Sequence, residues 1–82
     1  MIANLDWTEP AELYAQSGAF HGRNARYFRF SSAAEAIRFA IEDMPAAALR
    51  SMAVESGDNR YEGNEIRALY DAQDYPLERA KR

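Results

Sequence analysis

The sequence predicts a small α+β domain in the order β-α-β-β-α, and three observations carry that prediction. Arg26-Tyr27-Phe28-Arg29-Phe30 alternates as a strand does. Ser32-Ala33-Ala34-Glu35 opens an alanine-rich helical stretch. Ser56-Gly57-Asp58-Asn59 is a turn between two short strand-like runs. Together they predict an antiparallel sheet of two to three strands, with two main helices on one face and a loosely attached N-terminal arm in front. The expected division is an arm over 1–25, the α+β domain over 26–77 and a polar tail over 78–82.

The arm is weakly patterned. Thr8-Glu9-Pro10-Ala11-Glu12-Leu13-Tyr14 reads as one or two helical turns. Thr8 is the expected N-cap, with proline and acids in the first turn, where both are accepted. Trp7, Leu13 and Tyr14 would dock this turn on the core. Residues 16–24, with Gly18 and Gly22 and no period, read as a loop.

In the strand over 26–30, Phe28 and Phe30 share one face, and Tyr27 and Arg29 share the other. Ser32 and Glu35 then match a capping box, in which each side chain bonds the other's backbone N–H. The helix runs to about Met44. Ala33, Ala34, Ile37, Ala40, Ile41 and Met44 form its apolar face, at about 100° per residue. Pro45 ends it and suits the start of a short turn over 45–49.

Residues 50–55 alternate with Met52 and Val54 inward. Gly57, Asp58 and Asn59 supply turn chemistry. Arg60-Tyr61-Glu62 returns as the hairpin partner. Gly63-Asn64 opens a last helix over 65–73, with Ile66, Leu69 and Tyr70 inward at i, i+3 and i+4. The expected core is Phe28, Phe30, Ile37, Ile41, Met44, Leu49, Met52, Val54, Tyr61, Ile66, Leu69 and Tyr70.

From Tyr27 onward the chain resembles a family of short uncharacterised alphaproteobacterial proteins. The resemblance lies in Tyr27-Phe28-Arg29-Phe30, Ala33-Ala34-Glu35-Ala36-Ile37-Arg38-Phe39, Arg60-Tyr61, Glu65-Ile66, Leu69-Tyr70 and Tyr75-Pro76-Leu77. It implies a bacterial cytoplasmic protein and assigns no activity or catalytic residue.

Composition narrows the function classes. The 82 residues allow one domain. A domain of this size buries roughly 60–65% of its unfolded surface, so its margin of stability is thin. There is no cysteine and a single histidine, His21. Disulfides, thiolate metal sites and multi-histidine sites are therefore not expected, and of the devices that stabilise small domains oligomerisation is the one left open. No apolar run approaches the roughly 18 residues that span a bilayer. The first ten residues carry Asp6 and Glu9 and no base, the wrong charge for an export signal. The expected compartment is the cytoplasm, with no membrane association.

Net charge is −3, unevenly spread. Residues 1–22 carry Asp6, Glu9 and Glu12. Residues 23–30 carry Arg23, Arg26 and Arg29 with no acid. Residues 51–77 are acid-rich, and the tail is basic.

No enzyme is expected and no cofactor. His21 has no spaced partner for nucleophilic catalysis. Glu42 and Asp43 diverge on a helix, and Asp71 and Asp74 sit near a helix end. Asp58, Asn59 and Glu62 do not fill a calcium-loop frame, so no metal is expected.

Two interaction readings remain. In the first, the chain is a small protein–protein interaction module. Phe39 stands off the apolar helix face beside Ala36 and Ala40, and Trp7 and Tyr14 are further anchors. The partner is another protein or a second copy. The competing structural reading covers Phe39 with the N-terminal arm. In the second, Arg23, Arg26 and Arg29 with Tyr27 bind nucleic acid by phosphate pairing and base stacking. Against it, those arginines simply answer the acids of the arm and of the C-terminal half. The first reading predicts association with little salt sensitivity, and the second predicts binding that falls steeply with salt.

Overall fold

The computed structural model describes residues 5–15 and 26–79. It is α+β. Strands β1 (Ala11–Ala15), β2 (Arg26–Phe30), β3 (Met52–Ser56) and β4 (Asn59–Glu62) form one four-stranded sheet. The order is β2-β1-β3-β4, and every neighbouring pair is antiparallel. Helix α1 (Ala33–Arg38) continues into a π-helical turn over Phe39–Asp43. A 3-10 turn follows over Ala46–Ser51, and α2 (Gly63–Asp71) follows β4.

The strand count and the role of the N-terminal segment both correct the sequence reading. Residues 11–15 are not helical turns on a loose arm. They form an interior strand that bonds β2 on one side and β3 on the other. Ala11, Leu13 and Ala15 are buried, while Glu12 and Tyr14 alternate with them. The sheet's demand for a central strand overrides the helical preference of Ala, Glu and Leu. Thr8 is not an N-cap either. Asp6 makes a turn, accepting from the Thr8 N–H at 3.0 Å and the Thr8 hydroxyl at 2.7 Å. Its carbonyl also accepts from the Glu9 N–H at 3.1 Å. The two bonds from Thr8 hold the Asp6 carboxyl below its ordinary range, the hydroxyl contributing most. Residues 1–4, 16–25 and 80–82 lie outside the described residues, and with them the predicted loop, His21 and Arg23.

The other predicted elements stand close to their expected places. The N-cap of α1 is Ser32, whose hydroxyl accepts from the Glu35 N–H at 3.2 Å. The second half of the expected capping box differs: the Glu35 carboxylate takes the Ser31 hydroxyl at 2.9 Å in place of the Ser32 N–H. The β3–β4 hairpin closes through Gly57, which adopts φ 59°, a left-handed value open to glycine at little cost. The last helix starts at Gly63, two residues earlier than expected. A Cβ on Gly63 would stand 3.3 Å from the Arg50 Cα, so its bare backbone lets α2 pack closely on the 3-10 turn. The Glu62 N–H donates to Glu65 at 2.9 Å across the first turn of α2.

The helices cover one face of the sheet, and the core lies between them. Leu13, Ile37, Met52, Val54, Ile66 and Leu69 are its most enclosed large side chains. The expected residues Met44, Tyr61 and Tyr70 are also buried, while Phe28, Phe30, Ile41 and Leu49 are partly buried at its margin. Tyr75 joins the core. Its hydroxyl donates to the Ala34 carbonyl at 2.8 Å, and burial pushes its pKa up to about 12. Trp7 packs edge-on against Tyr75 with ring centroids 5.4 Å apart, and its carbonyl accepts from the Ala34 N–H at 3.0 Å. The Tyr70 hydroxyl donates to Glu42 and ties α2 to the π turn. Arg79 lies over Tyr70 and Tyr75 and donates to the Tyr70 and Ala72 carbonyls at 2.7 and 2.6 Å. This satisfies carbonyls that the end of a helix leaves open.

Candidate interaction face

No described helix covers the second face of the sheet. Alternation along each strand places Tyr27 and Arg29 of β2 there, with Glu12 and Tyr14 of β1, Ala53 and Glu55 of β3, and Arg60 and Glu62 of β4. The register arranges them in two rows across the strands. One row reads Arg29, Glu12, Glu55, Arg60; the other reads Tyr27, Tyr14, Ala53, Glu62.

The charged row explains its own pattern. Glu12 and Glu55 stand directly opposite each other, which alone would repel. Each is answered from an edge strand. Arg29 reaches Glu12 at 3.5 Å, and Arg60 bridges Glu55 at 2.5 Å and Glu62 at 2.9 Å. Hydrogen bonds to those two acids raise the Arg60 pKa, Glu62 contributing most.

Glu12 is the hub of the β2 side. It accepts from the Tyr14 hydroxyl at 2.9 Å and the Tyr27 hydroxyl at 3.1 Å. The Arg29 Nε donates to the Tyr27 oxygen at 3.0 Å. The two tyrosine rings lie 5.2 Å apart, tilted by 48°. These bonds, led by that from Tyr14, hold the Glu12 carboxyl below its ordinary range. In return, the Glu12 bond pushes the Tyr14 hydroxyl up to about 12. Arg29 is raised chiefly by its bond to Tyr27. Tyr27 is 50% exposed and is the one large hydrophobic residue exposed among those described. A shallow depression of about 620 Å³ opens at the end of this face, between Pro10, Glu12, Arg29, Phe30, Glu55 and Gly57.

The expected site residues are thus redistributed. Phe39 is not displayed on a free helix face. It is half-buried against Phe28 and Phe30 of β2, with centroids 5.0 and 5.3 Å away. The helix period correctly separated it from the Ile37 face, but that direction leads to the edge of the sheet. What meets Phe39 there is β2. Ala36 is completely buried and offers no surface. Trp7 is spent on Tyr75. Of the four proposed protein anchors, Tyr14 alone reaches the open face.

Of the nucleic-acid candidates, Tyr27 and Arg29 come together there, Arg26 pairs with Ala15 in the ladder, and Arg23 lies outside the described residues. Glu12, Glu55, Arg60 and Glu62 were not expected at a site. The alternation of Ala11, Leu13 and Ala15 with Glu12 and Tyr14 is the signal that could have found the first of them.

Among the described residues, no group of three or more His, Asp or Glu side chains is placed to hold a metal ion. No described helix is long and apolar enough to cross a membrane. Comparison with protein-family models, curated proteins and solved structures returned no match.

Proposed function

We propose that this chain is a small non-enzymatic protein-contact module whose contact surface is the β2 side of the helix-free sheet face. Tyr27, Tyr14 and Arg29 are its contact groups, and Glu12 fixes them. The observation that carries the reading is the half-exposed Tyr27 ring, held by hydrogen bonds to Glu12 and Arg29 on a sheet face that no described helix covers. Tyrosine and arginine contribute most to protein interfaces, and side chains ordered beforehand lose less entropy on binding.

The charge pattern supports protein over nucleic acid. Arg29 and Arg60 share the face with Glu12, Glu55 and Glu62, and both are bonded to them. A phosphate backbone would have to displace those carboxylates and would gain few released counterions.

Photo-crosslinking tests the reading. A benzophenone amino acid at Tyr27 should give protein adducts that the same probe at exposed Asp71 on α2 does not. Equal yields from both sites would overturn it. So would oligonucleotide binding that falls between about 50 and 200 mM salt and is lost in an Arg29→Glu variant.

A further inference from the structure

The first and last described segments of the chain meet at one residue. Ala34, in the first turn of α1, donates its N–H to the Trp7 carbonyl at 3.0 Å and accepts the Tyr75 hydroxyl on its own carbonyl at 2.8 Å. Trp7 and Tyr75 also touch each other, edge-on. Neither segment belongs to the sheet or to a helix. The turn over 5–9 is bounded by Pro10, whose carbonyl accepts from the buried Ser56 hydroxyl at 3.1 Å. Residues 72–79 follow α2, beginning where Ala72 turns the backbone extended.

Arg79 closes the second segment. α2 is followed by Ala72, Gln73 and Asp74, without the glycine or asparagine that commonly satisfies the last helical carbonyls. The Arg79 guanidinium takes over that task. It bonds the Tyr70 and Ala72 carbonyls and covers the Tyr70 and Tyr75 rings, 5.6 and 5.2 Å from their centroids. A planar fork suits both duties, donating from its edge and stacking on its face. Among the described residues, no backbone–backbone bond joins 76–79 to the rest of the chain. Their attachment falls to the side chains of Leu77 and Arg79, beside Tyr75. The two segments together bring Leu5 and Tyr75 into the core and leave Trp7 and Leu77 partly buried, far less than the sheet and helices enclose. Parts with few buried contacts open at lower free energy than the whole.

We infer that the turn over 5–9 and residues 72–79 form a single strap, which opens as a unit while the sheet stays folded, with Arg79 as its latch. Arg79 bears on Trp7 through Tyr75, whose ring contacts both. Freeing Arg79 loosens Tyr75, and with Tyr75 goes the wall on which Trp7 rests. Opening uncovers the first turn of α1, where Ala33 and Ala34 are otherwise buried, so the fold can present that surface without losing its core. None of the groups assigned to the contact surface takes part, and the strap and that reading stand or fall separately.

Amide hydrogen exchange under native conditions tests the inference. The Ala34 N–H is one of the donors that a helix start leaves open, so its protection reports the bond to Trp7. The Tyr75 N–H, bonded to the Ala72 carbonyl at 3.1 Å, reports the other segment. The two amides should share one opening free energy, lower than that of the amides in the interior strands β1 and β3. Small additions of urea should speed the strand amides and leave Ala34 and Tyr75 nearly unchanged, because local opening exposes little surface. Arg79→Ala, a change at an exposed position, should speed Ala34 and Tyr75 by the same factor, roughly three- to tenfold. Trp7→Phe should speed both equally from the other side. Strap and strand amides that share one free energy and one urea slope would overturn the inference. So would Arg79→Ala speeding Tyr75 alone, or Trp7→Phe speeding Ala34 alone.

Discussion

The two faces of this sheet are held by different physics. On the helix side, Leu13, Val54, Ile37, Ile66 and Leu69 exclude water almost completely, and the area they bury is the main stabilising term. On the open side, the same strands carry tyrosines, arginines and glutamates that stay in water and are ordered by hydrogen bonds to one another. Exposed ion pairs stabilise little. The contrast separates where the fold is secured from where a contact can be made. The proposed contact surface thus lies where the described residues contribute least to the fold.

Substitutions can sharpen or break that contrast, beginning with the most damaging. Leu13→Ala empties a fully enclosed position on an interior strand. It should cost about 2–5 kcal/mol, seen as a large fall in Tm or in denaturant midpoint. In a domain with so thin a margin, that leaves much of the population unfolded. A small effect would mean that β1 is not the interior strand described.

Tyr75→Phe removes the hydroxyl that donates to the Ala34 carbonyl, one buried hydrogen bond. The expected loss is about 0.5–1.5 kcal/mol by the same measurement.

Tyr27→Ala comes third. It should change stability by no more than about 0.5 kcal/mol, as surface substitutions usually do, while weakening association. Loss of both together would join the two faces energetically and break the contrast.

The smallest effect on stability belongs to Glu12. Its folded pKa is lowered, so the unfolded chain binds more protons as pH falls through the carboxylate range. Its contribution is present above the ordinary glutamate pKa and is lost as pH drops toward the folded value. Glu12→Gln should flatten that part of the pH–stability curve. It should also return one tyrosine from about 12 toward its ordinary value, read as phenolate absorbance in a difference titration against the parent. An unchanged titration would remove Glu12 from the Tyr14 hydroxyl.

Much of the fold was legible in the chain because period and punctuation agreed. β2, the start of α1, the Gly57 hairpin and α2 each combine a clear apolar period with a turn or cap residue. β1 was illegible for a physical reason. Ala11, Leu13 and Ala15 alternate correctly, but Pro10 and the neighbouring helix formers imitate a first helical turn. Only pairing with distant β2 and β3 decides between the two states. The site was legible in pieces. Tyr27 and Arg29 follow from alternation alone. That Glu12 fixes them, or that Phe39 meets β2 instead of solvent, depends on register and helix placement, which no local pattern carries.

The proposal that the contact surface is the β2 side of this face is tested most directly by comparing protein adducts from a benzophenone amino acid at Tyr27 with those from the same probe at Arg60, on the β4 side of the face. The account predicts adducts from Tyr27 and few or none from Arg60. Equal yields from the two positions, or a larger yield from Arg60, would contradict it.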